Sequence, residues 1–197
     1  MIIKEVPHFM KNSKICGRFA PTPSGRIHLG NIFCSLLAWL HAKSQGGEIV
    51  LRIEDLDKVR CPRPNADLLA KDLEWLGLTW DKGAYVSEDS ERYFQSQRFD
   101  IYAEHFRKLE EQGLIYPCFC SRGQLHAAEA PHLSDGRILY AGTCKNLTVS
   151  EREERAKLRQ PAYRLAVNGE PISFVDGNYG KQSYNLIEES GDFIVRR

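Results

Sequence analysis

The loop at residues 17–31 holds the residue types best suited to bind an anionic ligand. Its sequence is Gly17-Arg18-Phe19-Ala20-Pro21-Thr22-Pro23-Ser24-Gly25-Arg26-Ile27-His28-Leu29-Gly30-Asn31. Gly25 and Gly30 allow the backbone to approach a ligand closely, and His28 supplies a compact hydrogen-bond donor. A helix that begins after this loop would present unpaired N–H groups and a partial positive charge to phosphate. The residues alone predict either a phosphate site or an ordinary Pro/Gly loop with a surface histidine.

Three of the six cysteines form a second candidate site. One residue separates Cys118 from Cys120, and Cys144 follows further along the chain. Thiolates are good ligands for a structural Zn²⁺, but a one-residue gap is shorter than the usual gap of two to four residues. The spacing therefore leaves open a metal site and a set of thiols without metal. Cys16, Cys34 and Cys61 lack metal-like spacing, and we expect Cys34 to be a small core residue.

The elements that must position the first loop follow from the pattern of apolar residues. Residues 15–20 and 48–55 are predicted strands, the second because apolar and polar residues alternate in it. The helix between them has Asn31 as a possible N-cap and Gly46-Gly47 as a stop. Its apolar residues recur at helical spacing and are Ile32, Phe33, Leu36, Leu37 and Leu40. Strand, helix and strand in this order predict a parallel sheet with a right-handed crossover.

Further elements are predicted downstream. Helices are expected at residues 65–76 and 92–112, with a polar loop at 81–91 between them. Thr148-Val149-Ser150-Glu151 has the form of a capping box, which predicts a charged helix to about Arg159. Asn168-Gly169 separates the alternating segments 162–167 and 171–176 and predicts a β-hairpin. Residues 192–196 form the last predicted strand.

Charge and hydropathy exclude several classes of protein. The 197 residues include 27 Lys and Arg against 26 Asp and Glu, so the formal net charge is +1. This balance excludes a broadly basic nucleic-acid-binding surface but permits a local basic patch. The sequence contains no run of about 18 apolar residues, so no membrane span is predicted. The segment from Met1 to Pro7 lacks the basic and then apolar pattern of a secretory signal. We therefore expect a cytoplasmic protein, where cysteines favour metal binding or burial over disulfides.

Four motifs resemble, in the right order, the signatures of class I glutamyl-tRNA synthetases. They are Arg18–Asn31, in which His28-Leu29-Gly30-Asn31 stands at the place of the HIGH tetrapeptide, Leu51–Asp57, Trp75–Asp81 and Gln95–Arg98. Four segments are more similar to the glutamyl-Q tRNA(Asp) synthetase branch of the family than to its discriminating members. These segments are residues 17–25, 53–57 and 117–122, together with Tyr140-Ala141-Gly142-Thr143-Cys144. Thr22 replaces the more usual serine and keeps its hydroxyl.

The resemblance implies a two-step ligase reaction. L-Glutamate and ATP, with Mg²⁺, would form glutamyl-adenylate, and the glutamyl group would pass to the queuosine at the wobble position of tRNA(Asp). Such catalysis consists mostly of positioning and charge stabilisation, so no residue is assigned as acid, base or nucleophile. The expected partners are therefore L-glutamate, ATP and the anticodon loop of tRNA(Asp), with no membrane, and the expected assembly is a monomer.

The resemblance also implies site residues. For glutamate they are Arg18, whose planar fork suits the side-chain carboxylate, Glu54 for the α-ammonium group, and Ala20 and Thr22 for the pocket wall. For ATP they are His28, Gly30 and Asn31. For one structural zinc ion they are Cys118, Cys120, Tyr140 and Cys144, with His126 and His132 as substitutes if Tyr140 does not bind. Arg18 could instead pair with Glu54 or Asp55, and Asp55 and Asp57 are expected to be surface acids outside the site.

The implied fold is α/β. Residues 1–117 would be the first half of a class I synthetase Rossmann-type parallel-sheet domain, and residues 118–197 a zinc-bearing α+β insertion domain. No second half with a KMSKS-type loop is found, so we expect an N-terminal fragment that forms little adenylate alone. Two alternatives stay open: a fragment of an ordinary glutamyl-tRNA synthetase, and a non-catalytic tRNA- or protein-binding module on the same fold.

Overall fold

A computed structural model describes residues 14–127 and 139–197. These residues form two compact units, which divide the chain between Ala103 and Glu104. The division lies upstream of the boundary at residue 117 expected from the sequence, because the strand that ends at Cys118 pairs within the second unit. No helix among the described residues is long and apolar enough to cross a membrane.

The first unit contains the predicted parallel sheet. Its strands and helices are β1 (Cys16–Phe19), α1 (Leu29–Lys43), β2 (Glu48–Leu51), α2 (Arg63–Trp75) and β3 (Lys82–Gly83). The strand order is β1-β2-β3, and both pairings are parallel. The register places Arg18 beside Val50 and Phe19 beside Leu51. The predicted strand–helix–strand unit is therefore confirmed, with β3 added from the segment expected to be a loop.

The core of the first unit lies on one face of this sheet. Alternate residues of the second strand, Ile49, Leu51 and Ile53, are fully buried, because successive side chains of a strand point to opposite faces. Phe19 and Phe94 complete the largest buried group. Helix α1 contributes less than its apolar spacing predicts. Its exposed apolar side chains are Leu29, Phe33, Leu36, Leu37 and Leu40.

Three predictions for the first unit are wrong in detail. The N-cap of α1 is His28 and Asn31 lies in the first helical turn, while Cys34 is exposed on α1 instead of buried in the core. The helix expected at 92–112 is split into two 3₁₀ turns, Ser90–Tyr93 and Gln95–Gln97, followed by α3 (Phe99–Glu111). The split has a tertiary cause, since the backbone around Phe94 pairs with Ile53 and cannot also form an α-helix.

The second unit combines a small antiparallel sheet with short helices. Its elements are β4 (Ile115–Cys118), α4 (Arg122–Ala127), α5 (Val149–Leu158), β5 (Ala162–Leu165), β6 (Ile172–Asp176), β7 (Gly180–Tyr184), α6 (Leu186–Glu189) and β8 (Phe193–Arg196). The sheet has the order β4-β5-β8, and β6 pairs with β7. The predicted capping box is confirmed, because Thr148 Oγ1 accepts from the Glu151 N–H at 3.3 Å and Glu151 Oε2 accepts from the Thr148 N–H at 2.8 Å.

The hairpin predicted at Asn168-Gly169 does not form. Strand β5 pairs with β4 on one edge and β8 on the other, so no edge remains for β6. The hairpin joins β6 to β7 instead, and Asp176 Oδ1 closes its turn by accepting the N–H groups of Asn178 and Tyr179, both at 2.8 Å. A local turn signal is overridden here by pairing between segments distant in sequence.

Candidate active site and candidate metal centre

A cavity of about 240 Å³ lies at the carboxyl end of β1, against the first turn of α1. Its lining residues are Ala20, Pro21, Thr22, Ser24, Gly25, Arg26, Ile27, His28, Asn31 and Leu69. The loop thus places four of the predicted ligand residues, Ala20, Thr22, His28 and Asn31, on one wall. The carboxyl ends of parallel strands and a helix N-terminus together form a typical anion-binding corner.

The parallel pairing continues past β1 and brings the first loop beside Glu54. The Arg52 N–H donates to the Phe19 carbonyl at 2.8 Å, and the Glu54 N–H donates to the Pro21 carbonyl at 3.0 Å. Because side chains alternate along paired strands, Arg18 and Glu54 belong to the sheet face opposite the core. Neither side chain lines the cavity itself.

Arg18 and Glu54 do not pair with each other. Arg18 is exposed on β1, and among the residues that the structure describes it forms no ion pair with Glu54 or Asp55. Glu54 is half-buried and pairs with Arg52, a residue that the sequence reasoning missed. Alternation in the segment Leu51-Arg52-Ile53-Glu54 was the available signal, since it places Arg52 and Glu54 on the same face.

Asp55 is buried, contrary to the expectation of a surface acid. Its carboxylate accepts the Ser96 N–H at 2.9 Å and the Ser96 hydroxyl at 2.6 Å. The Gln95-to-Arg98 motif therefore clamps the chain just after Glu54. Asp57 has a local role, because its Oδ1 accepts the Arg60 N–H at 3.1 Å.

His28 and Gly30 are close neighbours at the start of α1. A Cβ atom built on Gly30 would lie 3.2 Å from both Cε1 and Nδ1 of the His28 ring. That separation is tighter than ordinary van der Waals contact, so a side chain at residue 30 would push the imidazole away. His28 makes no capping hydrogen bond through its side chain, which leaves the exposed ring available to a ligand.

The second candidate site joins the predicted metal ligands in one buried cluster. The Sγ atoms of Cys118, Cys120 and Cys144 all lie within 4.8 Å of one another, and Cys120 and Cys144 are 3.6 Å apart. The Tyr140 hydroxyl is 3.4 Å from Cys118 Sγ and 4.0 Å from Cys120 Sγ. The sequence therefore identified all four members of the cluster.

The geometry and donor set of this cluster fit a tetrahedral zinc ion. Zn–S bonds of about 2.3 Å require sulfur atoms about 3.8 Å apart, and Cys120 and Cys144 are close to that separation. The Phe119 N–H donates to Cys144 Sγ at 3.5 Å, and the Cys144 N–H donates to Tyr140 Oη at 2.9 Å. Both N–H groups favour negative charge on the atoms that would bind the metal.

Burial and hydrogen bonding shift the pKa values of three members of the cluster, Cys118, Cys120 and Tyr140. Burial raises the pKa of Cys120 to about 11, with a further rise from the Cys144 thiol. Burial also raises the pKa of Tyr140 well above its usual value, and the Cys118 thiol adds to the effect. For Cys118, burial acts in the same direction, but hydrogen bonding to Tyr140 and Arg164 outweighs it and lowers the pKa. A bound cation would favour the deprotonated form of all these groups.

Two arginines lie against this cluster, and the sequence did not assign either of them to it. Arg155 Nη1 lies 3.8 Å from Cys144 Sγ, and the Arg164 guanidinium carbon lies 3.7 Å from the centre of the Tyr140 ring. The sequence predicted only a charged helix around Arg155, and nothing in the local pattern marks Arg164. The substitute ligands His126 and His132 fall outside the side chains that the structure describes.

Comparison with known proteins identifies the family. The model of the family "tRNA synthetases class I (E and Q), catalytic domain" matches residues 14–195. The chain belongs to this family. Its parallel sheet and the loop at α1 are therefore part of a class I synthetase catalytic domain, as expected from the four motifs.

Individual relatives agree with this membership. The Glutamyl-Q tRNA(Asp) synthetase of Symbiobacterium thermophilum is 46% identical over 93% of the chain, which covers 57% of that relative. Glutamate--tRNA ligase 2 of Alkalilimnicola ehrlichii is 40% identical over 95% of the chain and 40% of its own length. The crystal structure of a glutamate-tRNA synthetase from Elizabethkingia anophelis matches 92% of the chain and 39% of its own, with 27% identity and a TM-score of 0.68. The chain thus spans about half or less of the length of these relatives.

Proposed function

We propose that this class I synthetase chain takes part in the ATP-dependent activation of L-glutamate and its transfer to the queuosine of tRNA(Asp). The observation that carries the proposal is the cavity between the β1 loop and α1, which is lined by Thr22, His28 and Asn31. The Glu54 N–H donates to the carbonyl of Pro21 in the same loop. In this proposal the glutamate α-carboxylate attacks the α-phosphate of ATP and pyrophosphate leaves. A hydroxyl of the queuosine cyclopentenediol then attacks the acyl carbon, and AMP leaves.

The roles of the binding residues follow from charge and position. Arg18 holds the side-chain carboxylate of glutamate, because an exposed guanidinium can offer two parallel N–H donors. Glu54 holds the α-ammonium group, while Ala20 and Thr22 shape the wall. His28, Gly30 and Asn31 hold ATP at the N-terminus of α1, where the helix dipole favours phosphate. Mg²⁺ would accompany the nucleotide, and the reaction belongs in the cytoplasm.

We also propose one structural zinc ion bound by Cys118, Cys120, Tyr140 and Cys144. The cluster geometry and the N–H donors around it support this assignment. The zinc ion would cross-link two chain segments, residues 118–120 and 140–144, and so stabilise the second unit. In this proposal residues 118–197 act as a connective insertion in a monomeric enzyme, and residues 1–117 contribute half of a nucleotide-binding domain.

A chimeric enzyme tests the activity. Residues 14–195 replace the matching part of the Symbiobacterium thermophilum Glutamyl-Q tRNA(Asp) synthetase, and glutamate-dependent ATP–pyrophosphate exchange is measured. We expect exchange in the chimera and its loss in the Arg18→Ala chimera, with Arg107→Ala on the exposed side of α3 as the matched control. A folded chimera that exchanges no pyrophosphate contradicts the proposal.

The identity of the acceptor separates the proposal from a second function. Identity of 40% to a glutamate--tRNA ligase favours charging of tRNA(Glu) as the alternative. We expect the chimera to glutamylate queuosine-containing tRNA(Asp) and to leave unmodified tRNA(Asp) and tRNA(Glu) uncharged. Glutamate on the terminal adenosine of tRNA(Glu) would instead support the ordinary ligase, and tRNA binding without any activation would support the non-catalytic module.

A further inference from the structure

Arg164 is a buried cation with no carboxylate partner. Its residue is 6% exposed on β5, and its Nη1 donates to the backbone carbonyl of Asp192 at 2.6 Å. Its Nε is buried and has no hydrogen-bond partner. Within residues 14–127 and 139–197, no carboxylate lies at ion-pair distance from the guanidinium. Burial of an unpaired charge is strongly unfavourable, so the described groups that lie against the guanidinium matter for how its charge is balanced.

The nearest acid does not balance this charge. The carboxylate of Asp192 is turned to other donors, because it accepts the Tyr116 hydroxyl at 2.6 Å and the Val167 N–H at 2.8 Å. It also pairs with the ammonium of Lys145 at 3.1 Å. Only its backbone oxygen meets Arg164, so Asp192 anchors the guanidinium without neutralising it.

The group that Arg164 does face is the Cys/Tyr cluster. Its guanidinium carbon lies 3.7 Å from the centre of the Tyr140 ring, and the hydroxyl of that ring is 3.4 Å from the sulfur of Cys118. On another side of the cluster, Arg155 Nη1 lies 3.8 Å from Cys144 Sγ. Two guanidinium groups therefore border a cluster of three thiols and one phenol.

A charge count explains two cations at this place. Zn²⁺ bound by three thiolates and one phenolate carries a net charge of −2, and two guanidinium groups would bring the total to zero. We propose that Arg164 and Arg155 neutralise the zinc centre, and that Arg164, anchored by Asp192, is the positioning residue that holds Tyr140 in its coordinating place. This inference rests on the proposed zinc site and adds the residues that select an all-anionic ligand set.

Zinc affinity and cobalt spectra of the 197-residue chain test the inference. Zinc affinity is measured by competition with a chromophoric chelator, and Co²⁺ replaces zinc to report coordination through its visible absorption bands. We expect Arg164→Met to bind zinc about 10–100-fold more weakly and to shift the Co²⁺ bands, since loss of a residue behind the ligands typically has this effect. Arg164→Lys, which keeps the charge but loses the flat fork, should recover part of the affinity. The matched control is Lys157→Gln on the exposed side of α5, which should leave both readouts unchanged.

The outcomes separate this inference from the zinc proposal itself. A wild-type chain that binds no zinc overturns both. A wild-type chain that binds zinc, with unchanged affinity and cobalt bands in Arg164→Met, overturns the role of Arg164 alone. Circular dichroism checks folding of each variant. If Arg164→Met does not fold, the test uses Arg155→Met and Arg164→Lys instead. Zinc affinity lowered about tenfold in these two variants supports the inference, and wild-type affinity in both refutes it.

Discussion

The two candidate sites differ in how their side chains are held. In the first unit, backbone pairing holds the loop, and the candidate ligand-binding side chains Arg18 and His28 are exposed. In the second unit, the side chains themselves form the site, and they are buried against one another, as with Cys144 at 0% exposure. We therefore expect mutations at the first site to lower ligand binding, and mutations at the second site to lower the stability of the fold.

The largest effect is expected from a mutation that removes one proposed zinc ligand of the second site. Cys144→Ser should reduce bound zinc from one equivalent to nearly none and lower the free energy of unfolding by about 4 kcal/mol, the linkage value for a ligand at a thousandfold its Kd. Elemental analysis and thermal unfolding measure the two effects. The exposed residue Cys16 offers the control, since Cys16→Ser should change neither. Equal zinc content in both variants would show that the cluster is not the metal centre.

A second prediction concerns the anchor of this site and has a defined pH dependence. Burial alone would raise the pKa of Asp192. Hydrogen bonds from the Tyr116 hydroxyl, the Val167 N–H and Lys145 together lower it by more, so the net shift of the pKa is downward. A lowered folded pKa means that the stabilisation is complete above the unfolded value near 3.9 and is lost as the pH falls through the folded value.

Asp192→Asn should therefore destabilise the chain by about 2–3 kcal/mol at pH 7, because buried hydrogen bonds to a charged acceptor are lost. Denaturant unfolding between pH 7 and pH 2 provides the measurement. The difference between wild type and variant should shrink below about pH 4, where the carboxylate of the unfolded wild-type chain becomes protonated. A difference that stays constant over this range would exclude a role for the carboxylate charge.

A third prediction tests the other half of the comparison. Arg18→Ala should raise the KM for glutamate in the chimeric enzyme by about 10–100-fold, because a charge-assisted hydrogen-bonded pair contributes about 1.5–3 kcal/mol. The melting temperature should stay the same, since Arg18 is exposed and pairs with neither Glu54 nor Asp55. Arg18→Lys should give an intermediate KM. A fall in melting temperature without a change in KM would assign Arg18 a structural role.

The smallest effect is expected at Gly30. Gly30→Ala places a methyl group 3.2 Å from the His28 ring, so the ring must move by a few tenths of an ångström. We expect the KM for ATP to rise about threefold to tenfold, equivalent to about 1 kcal/mol, with little change in KM for glutamate. Pyrophosphate exchange at varied ATP measures it. The control is Gly123→Ala, because a Cβ atom at this residue would meet only one distant atom. Gly46→Ala is unsuitable as a control because the φ of Gly46 is +65°.

Local sequence determined most of the elements of the first unit. The strand–loop–helix pattern around residues 15–43 needs only apolar spacing and Pro/Gly breakers, so its elements are confirmed. The capping box at Thr148 is confirmed for the same reason, since a cap joins residues three positions apart. The family resemblance predicted a group formed by Cys118, Cys120, Tyr140 and Cys144, and the structure brings these four side chains together.

Tertiary structure alone decided the features that depend on distant partners. The backbone at Phe94 pairs with Ile53, which splits a predicted helix, and β5 pairs with β4 and β8, which moves the hairpin to β6 and β7. Asp55 is buried because Ser96 meets it from far along the chain. Arg164 carries no local signal, because a buried charge is defined by what surrounds it in space. Short-range patterns therefore predicted the local elements, the family resemblance supplied the candidate ligands, and long-range contacts determined how each one is held.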